Sequence, residues 1–246
     1  VPELDQGPHA ATVERFVLDV PDGTAIDAIH ARPDAQSEAG VVVHADMMGV
    51  RPLFDEQCRR IATHGFAVAC TEPFARFPRD VREAPDPTTR MSHMKDMDDE
   101  VHLGDLAQAA EFLVATDGVE RVSILGFCMG GMYTLKAAAT SRFARAVPFY
   151  GMIRVPDDWR GPGQRDPLDT AAQVCPTLAI LGGKDPWTPP QDIEALRTAW
   201  RDRDDCEVVV YPEADHGFVH APDRPAHRPD DAADAWRRAL EFLRRA

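Results

Sequence analysis

The stretch RVSILGFCMGG, residues 121–131, decides how the chain is read. Val122, Ile124 and Leu125 make a short apolar run of strand length, and Gly126 ends it. From Met129 onward the residues suit a helix reaching about Thr140. Between them stands Gly-x-Cys-x-Gly, with Cys128 at its centre. A strand, a tight turn with a nucleophilic residue, and a helix form the pattern of a nucleophile elbow. The chemistry explains the spacing. The nucleophile is held up on a strained turn, so the residues two before and two after must be small; Gly126 and Gly130 meet that need, and Gly131 allows close helix packing. A thiol there lies near a helix N-terminus, where the dipole favours thiolate. A buried, inert cysteine in a βα turn is the competing reading.

Working outward, apolar runs alternate with helical stretches. Segments 13–20 and 24–31 flank Pro21-Asp22-Gly23 and read as a hairpin. Strands are expected at 40–45, 66–70, 121–126, 145–151, 177–182 and 206–212. Helices are expected at 52–65, 98–115, 129–140, 189–200 and 231–246, the last with Trp236, Leu240 and Leu243 on one side. Val101, Leu106, Ala109, Ala110 and Leu113 supply the apolar side of the second. Residues 71–87 read as a long loop, and 154–171 as a polar excursion. Strands separated by helices indicate a mostly parallel sheet, of about seven or eight strands, in one α/β domain over residues 1–246.

Bulk properties narrow the function. With 27 basic and 41 acidic residues the formal charge is −14, which opposes nucleic acid or an anionic membrane as partner. Five cysteines without CxxC spacing suggest neither a disulfide framework nor a zinc site, and no histidine spacing suggests a metal. No apolar stretch approaches the roughly 18 residues of a membrane span, and VPELDQGPHA does not read as a signal peptide. A cytoplasmic location is the expectation.

A nucleophilic cysteine needs a base and a residue to orient it. Asp185 follows the strand TLAILG, and His216 follows the strand CEVVVYP within ADHGF. Each falls beyond a strand end, on the edge where Cys128 lies. The order Cys128, Asp185, His216 is nucleophile, acid, histidine, as in α/β-hydrolases. Backbone N–H groups of Met129 and Met47, the latter in HADMMG after the strand at 40–45, are the candidate oxyanion donors.

GFCMGG at 126–131, GGKDPWTP at 182–189, YPEADHGF at 211–218 and HADMMGV at 44–50 together resemble the dienelactone hydrolase family, the carboxymethylenebutenolidases. The resemblance spans roughly residues 12–245 and implies an α/β-hydrolase fold with helices on both faces of the sheet. It implies hydrolysis of an activated ester or enol lactone through a cysteine thioester, without cofactor or metal, in aromatic-compound catabolism, by a monomer, with a dimer as the alternative. In that family an acidic side chain in the first loop, usually glutamate, holds the resting thiol; Asp46 occupies the matching place, one CH₂ shorter. Two arginines bind the carboxylate of dienelactone. Arg76 matches the first, while His220 stands at the second. Trp187, Phe218 and Met48 are candidates for the pocket wall, and His44 for support of Asp46. The two departures keep a second reading open: a carboxylesterase, thioesterase or lactonase of the same fold with another small substrate.

Overall fold

The computed structural model describes residues 2–245. Its β-branched and apolar runs form eight strands: β1 (Ala11–Asp19), β2 (Ala25–Pro33), β3 (Ala39–His44), β4 (Phe66–Thr71), β5 (Arg121–Phe127), β6 (Ala146–Phe149), β7 (Thr177–Gly182) and β8 (Cys206–Tyr211). Seven α-helices accompany them: α1 (Pro52–Ala62), α2 (Arg79–Arg82), α3 (Pro87–Ser92), α4 (Asp99–Asp117), α5 (Met129–Ala138), α6 (Pro190–Ala199) and α7 (Pro229–Arg244). One sheet runs β1-β2-β4-β3-β5-β6-β7-β8. The β1–β2 hairpin pairs antiparallel and joins β4 antiparallel; every other pairing is parallel. This is the α/β-hydrolase fold.

Strand alternation divides the core in two. Val42, Ala67, Ala69 and Ile124 face Leu106, Ala109 and Leu113 of α4, with Met132 of α5 and Leu196 of α6 in the same cluster. Val41, Val43, Val68 and Leu125 face Phe54 and Ile61 of α1 and Trp236, Leu240 and Leu243 of α7. The Val, Leu, Ile, Phe and Met side chains buried this way contribute about 1.5–3 kcal/mol each. The side-chain period of two therefore sends helices to both faces of the sheet.

Two expectations differ from the structure. Val101, read as part of the apolar side of α4, is exposed. The expected loop at 71–87 contains α2 and leads straight into α3. Asp86 caps α3 through Thr88 N–H, at 2.9 Å, and Pro87 follows at the first helical position. The expected end of the final helix at Ala246 lies outside the described residues. Among the described residues no helix is long and apolar enough to cross a membrane.

Candidate active site

β5 delivers Cys128 to the carboxyl edge of the sheet in a positive-φ conformation, φ 59° and ψ −120°. Such a backbone is costly for a residue with a Cβ, and functional sites are where proteins keep it. The turn is fixed from both sides: Cys128 N–H donates to Phe149 O at 3.1 Å, and Met132 N–H donates to Cys128 O at 3.0 Å. A methyl group on Gly126 would strike the Gly130 carbonyl and Thr134, and one on Gly130 would strike the carbonyl oxygens of His44 and Ala45. The glycine spacing is thus a steric requirement of packing β3, β5 and α5 together.

The loops after β7 and β8 press together, with Lys184 N–H donating to Ala214 O at 2.9 Å and Gly183 N–H to Tyr211 O at 2.8 Å. That contact brings Asp185 to His216. Asp185 Oδ2 lies 2.8 Å from His216 Nδ1, and its Oδ1 accepts from Trp187 N–H at 2.8 Å. The Asp185 side chain has no exposure, while His216 keeps 14%. The Cys128 sulfur acts on the same imidazole from nearby, favouring its charged form. Burial opposes a charge on His216, but the Cys128 sulfur and the Asp185 carboxylate outweigh it and push the ring up to about 10. Asp185 and His216 are hydrogen-bonded, and Cys128 stands close enough to bias the ring's charge.

Asp46 is placed differently from expectation. Its Oδ1 accepts from Met48 N–H at 2.9 Å and Arg51 Nη1 at 2.6 Å. Its Oδ2 accepts from Arg51 Nη2 at 2.8 Å and His220 Nε2 at 2.6 Å. Both oxygens are occupied by these donors, and none of them is the thiol. Burial works against the Asp46 charge, yet the His220 ring and Arg51 hold the carboxyl well below the usual carboxylate range. His220 Nδ1 meets the Tyr150 hydroxyl in a short contact. Burial pushes the His220 pKa down and the Tyr150 pKa up, so a neutral ring donates to Asp46 and accepts from a phenol.

The expected substrate contacts are corrected on the same ground. His220 has no exposed surface and stacks on Phe127, with ring centroids 4.9 Å apart. Phe218 is also wholly buried, against Tyr150 and Tyr211. Arg76 makes a bidentate pair with Asp105, at 2.8 and 2.6 Å, and adds Asp22 at 2.6 Å. It lines a cavity of about 180 Å³ with Phe77 and His102, not one shared with His216. Trp187, 36% exposed, does stand at the site, 5.3 Å from the Trp159 ring and 6.4 Å from His216. Met48 is half-buried, while Met47 and Met129 are buried.

His44 turns away from Asp46. Its Nε2 lies 2.7 Å from His102 Nε2, and it stacks on Tyr133. Burial pushes His44 down to about 4 and His102 well below its ordinary value.

The sequence reading passed over Tyr150, Arg51 and Trp159. Tyr150 carried a usable signal: it follows β6 at the edge where the other strands deliver functional residues. Its φ is +38° and its ring lies 5.2 Å from that of His216.

The family model for the dienelactone hydrolase family matches residues 26–246. The chain belongs to the dienelactone hydrolase family. An Escherichia coli K12 protein named as a candidate carboxymethylenebutenolidase is 33% identical over 248 residues, covering 97% of this chain and 89% of that protein. The Rhodococcus opacus carboxymethylenebutenolidase is 25% identical over 221 residues, covering 88% of this chain and 85% of that protein. The crystal structure of a candidate dienelactone hydrolase from Klebsiella pneumoniae superposes with a TM-score of 0.86 at 28% identity, covering 96% of this chain and all of that one. This member of the family is a dienelactone hydrolase-like hydrolase, with the elbow of its fold occupied by cysteine.

Proposed function

We propose that the chain hydrolyses activated esters or enol lactones through a Cys128 thioester. The observation that carries this reading is the Asp185–His216 hydrogen bond, with Cys128 on a positive-φ elbow near enough to act on the ring. The substrate carbonyl rests against the N–H groups of Met47 and Met129. Cys128 sulfur attacks the carbonyl carbon as thiolate, its proton held by His216. The tetrahedral intermediate collapses, the C–O bond breaks, and His216 gives its proton to the departing oxygen. With the sulfur acylated, the charge that favoured imidazolium is gone. His216, held by Asp185, then takes a proton from water, whose oxygen attacks the thioester and releases acid and thiol. Side chains and water supply every step. A thiolate leaves more readily than an unactivated alkoxide, so stabilised leaving groups are favoured.

The occupied states of Arg76 and His220 favour a substrate held differently from dienelactone, within the same ester and lactone chemistry. Steady-state hydrolysis of cis- and trans-dienelactone and 4-nitrophenyl acetate by wild type and Cys128→Ala, from pH 5.5 to 9, tests both points. Loss of all activity in the variant supports the mechanism. Wild-type activity confined to the small ester moves the substrate elsewhere. Undiminished variant activity overturns the mechanism.

A further inference from the structure

Residues 46–50, which carry the candidate oxyanion donor Met47, rest on a buried ion pair that the proposed chemistry does not use. Glu72 directly follows β4 and Arg90 stands on α3; they are 9% and 4% exposed, and Arg90 Nη1 donates to Glu72 Oε1 at 3.1 Å. Glu72 Oε2 accepts from Val50 N–H at 2.8 Å, and Oε1 also accepts from Phe74 N–H at 3.1 Å. Arg90 Nη1 reaches the Met47 carbonyl at 3.4 Å, and its Nη2 donates to Arg82 O in a short contact. Gly49 has φ +68°, and a Cβ there would lie 2.2 Å from Glu72 Oε2 and 2.6 Å from Arg90 Nη1. The loop backbone lies directly on the pair.

These contacts sort the backbone groups of the loop. Met48 N–H donates to Asp46 Oδ1, Gly49 N–H to Asp46 O, and Val50 N–H to Glu72. Among the described residues no acceptor takes Met47 N–H. The peptide joining Met47 to Met48 is held at both ends, its carbonyl by Arg90 and its N–H by Asp46. The peptide before it, which carries Met47 N–H, is held through Asp46 O. The one N–H left without a partner is the one the chemistry needs. Desolvating two charges makes a buried ion pair a poor source of stability, so its use here lies in fixing a backbone position. Glu72 and Arg90 line a cavity of about 310 Å³ with Arg15, Phe16 and Asp27, whose lining includes neither Cys128 nor His216. We propose that Glu72 and Arg90 are positioning residues that hold Met47 N–H where the oxyanion forms. The proposal rests on the Cys128 reading of the active site, with Met47 as oxyanion donor.

Two reactions of Cys128 separate positioning from folding. Hydrolysis of 4-nitrophenyl acetate develops charge on a carbonyl oxygen; alkylation by iodoacetamide displaces iodide at a saturated carbon and develops none there. In Arg90→Gln, kcat and kcat/KM should fall together, about ten- to hundredfold, with KM within about threefold of wild type and the alkylation rate within about twofold. Arg90→Lys, which keeps the charge without the fork, should recover part of the loss. The double variant Glu72→Gln/Arg90→Gln leaves no unpaired buried charge and should show the same loss, so it carries the test if the single variant does not fold. A kcat within about threefold of wild type overturns the proposal. So does an equal fall in turnover and alkylation, which marks a general loss of structure. Cys128→Ala, run beside them, reports separately on the nucleophile. Retained turnover there removes the mechanism, whatever the Arg90 variants do.

Discussion

His220 Nε2 donates to Asp46 Oδ2 across 2.6 Å, in a place where neither side chain meets solvent to any extent. The pair joins the first loop, after β3, to the loop after β8, and Tyr150 extends it through His220 Nδ1. The Arg51 guanidinium completes the set. The same Asp46 side chain accepts from Met48 N–H, so the network also shapes the backbone turn that carries the candidate oxyanion donor Met47.

Removing one member should therefore be costly. His220→Leu leaves a buried carboxylate with one partner fewer and strands the Tyr150 hydroxyl, for an expected loss of about 2–4 kcal/mol. His220→Gln retains a donor and should lose less. Urea unfolding of the two variants beside wild type gives the comparison; equal stability of all three would show that the pair contributes nothing.

The His44–His102 pair sets an acid limit. Both histidines have folded-state pKa values below their ordinary ones, so the unfolded chain binds protons more readily. The stability this pair contributes is fully present above about pH 6.5 and falls as pH drops below it. For His44, whose pKa falls to about 4, the loss approaches about 3 kcal/mol by that pH. Asp46 adds to acid lability from about pH 4 downward, since its carboxyl is held below the unfolded value. Thermal unfolding from pH 7 to 4 should show the decline, and His102→Gln should flatten its upper part. A flat wild-type profile would contradict this.

His216 should titrate differently once the sulfur is gone. Its pKa, about 10, depends on the nearby Cys128 sulfur as well as on Asp185. In Cys128→Ala the value should move down, because burial then opposes the charge with less to offset it. The ring resonances in an NMR titration report it directly. An unchanged value would mean that the thiol and the imidazole are not coupled.

Asp185→Asn keeps the shape but removes the charge that orients the ring. By the behaviour of catalytic triads generally, kcat should fall about 10³–10⁴-fold with the fold intact. Circular dichroism and steady-state kinetics on one preparation would check both halves. A loss below about tenfold would place Asp185 outside the mechanism.

Much of this arrangement could be read from local patterns. The β-branched runs fixed β3, β4, β5 and β7 nearly to the residue, and Cys128, Asp185 and His216 were legible as candidates because each lies in the turn or loop that follows a strand. What failed depended on partners distant in sequence. Arg76 was expected at the substrate, but Asp105 on α4 captures it. His220 was expected at the pocket, but the aromatic packing of Phe127 and Tyr150 encloses it. No spacing rule links residues 46 and 220. The cap of α3 is another matter: Asp86-Pro87 is a helix start by residue type alone, hidden within a stretch rich in proline and arginine.

The central claim is that a thioester forms on Cys128. Rapid quenching of the wild-type enzyme during turnover of a 4-nitrophenyl ester, followed by intact-mass and peptide analysis, tests it most directly. The account predicts a burst of 4-nitrophenolate, an acyl mass increment confined to the peptide bearing Cys128, and neither signal in Cys128→Ala. Turnover at the wild-type rate in that variant, or an acyl group on a different residue, would contradict it.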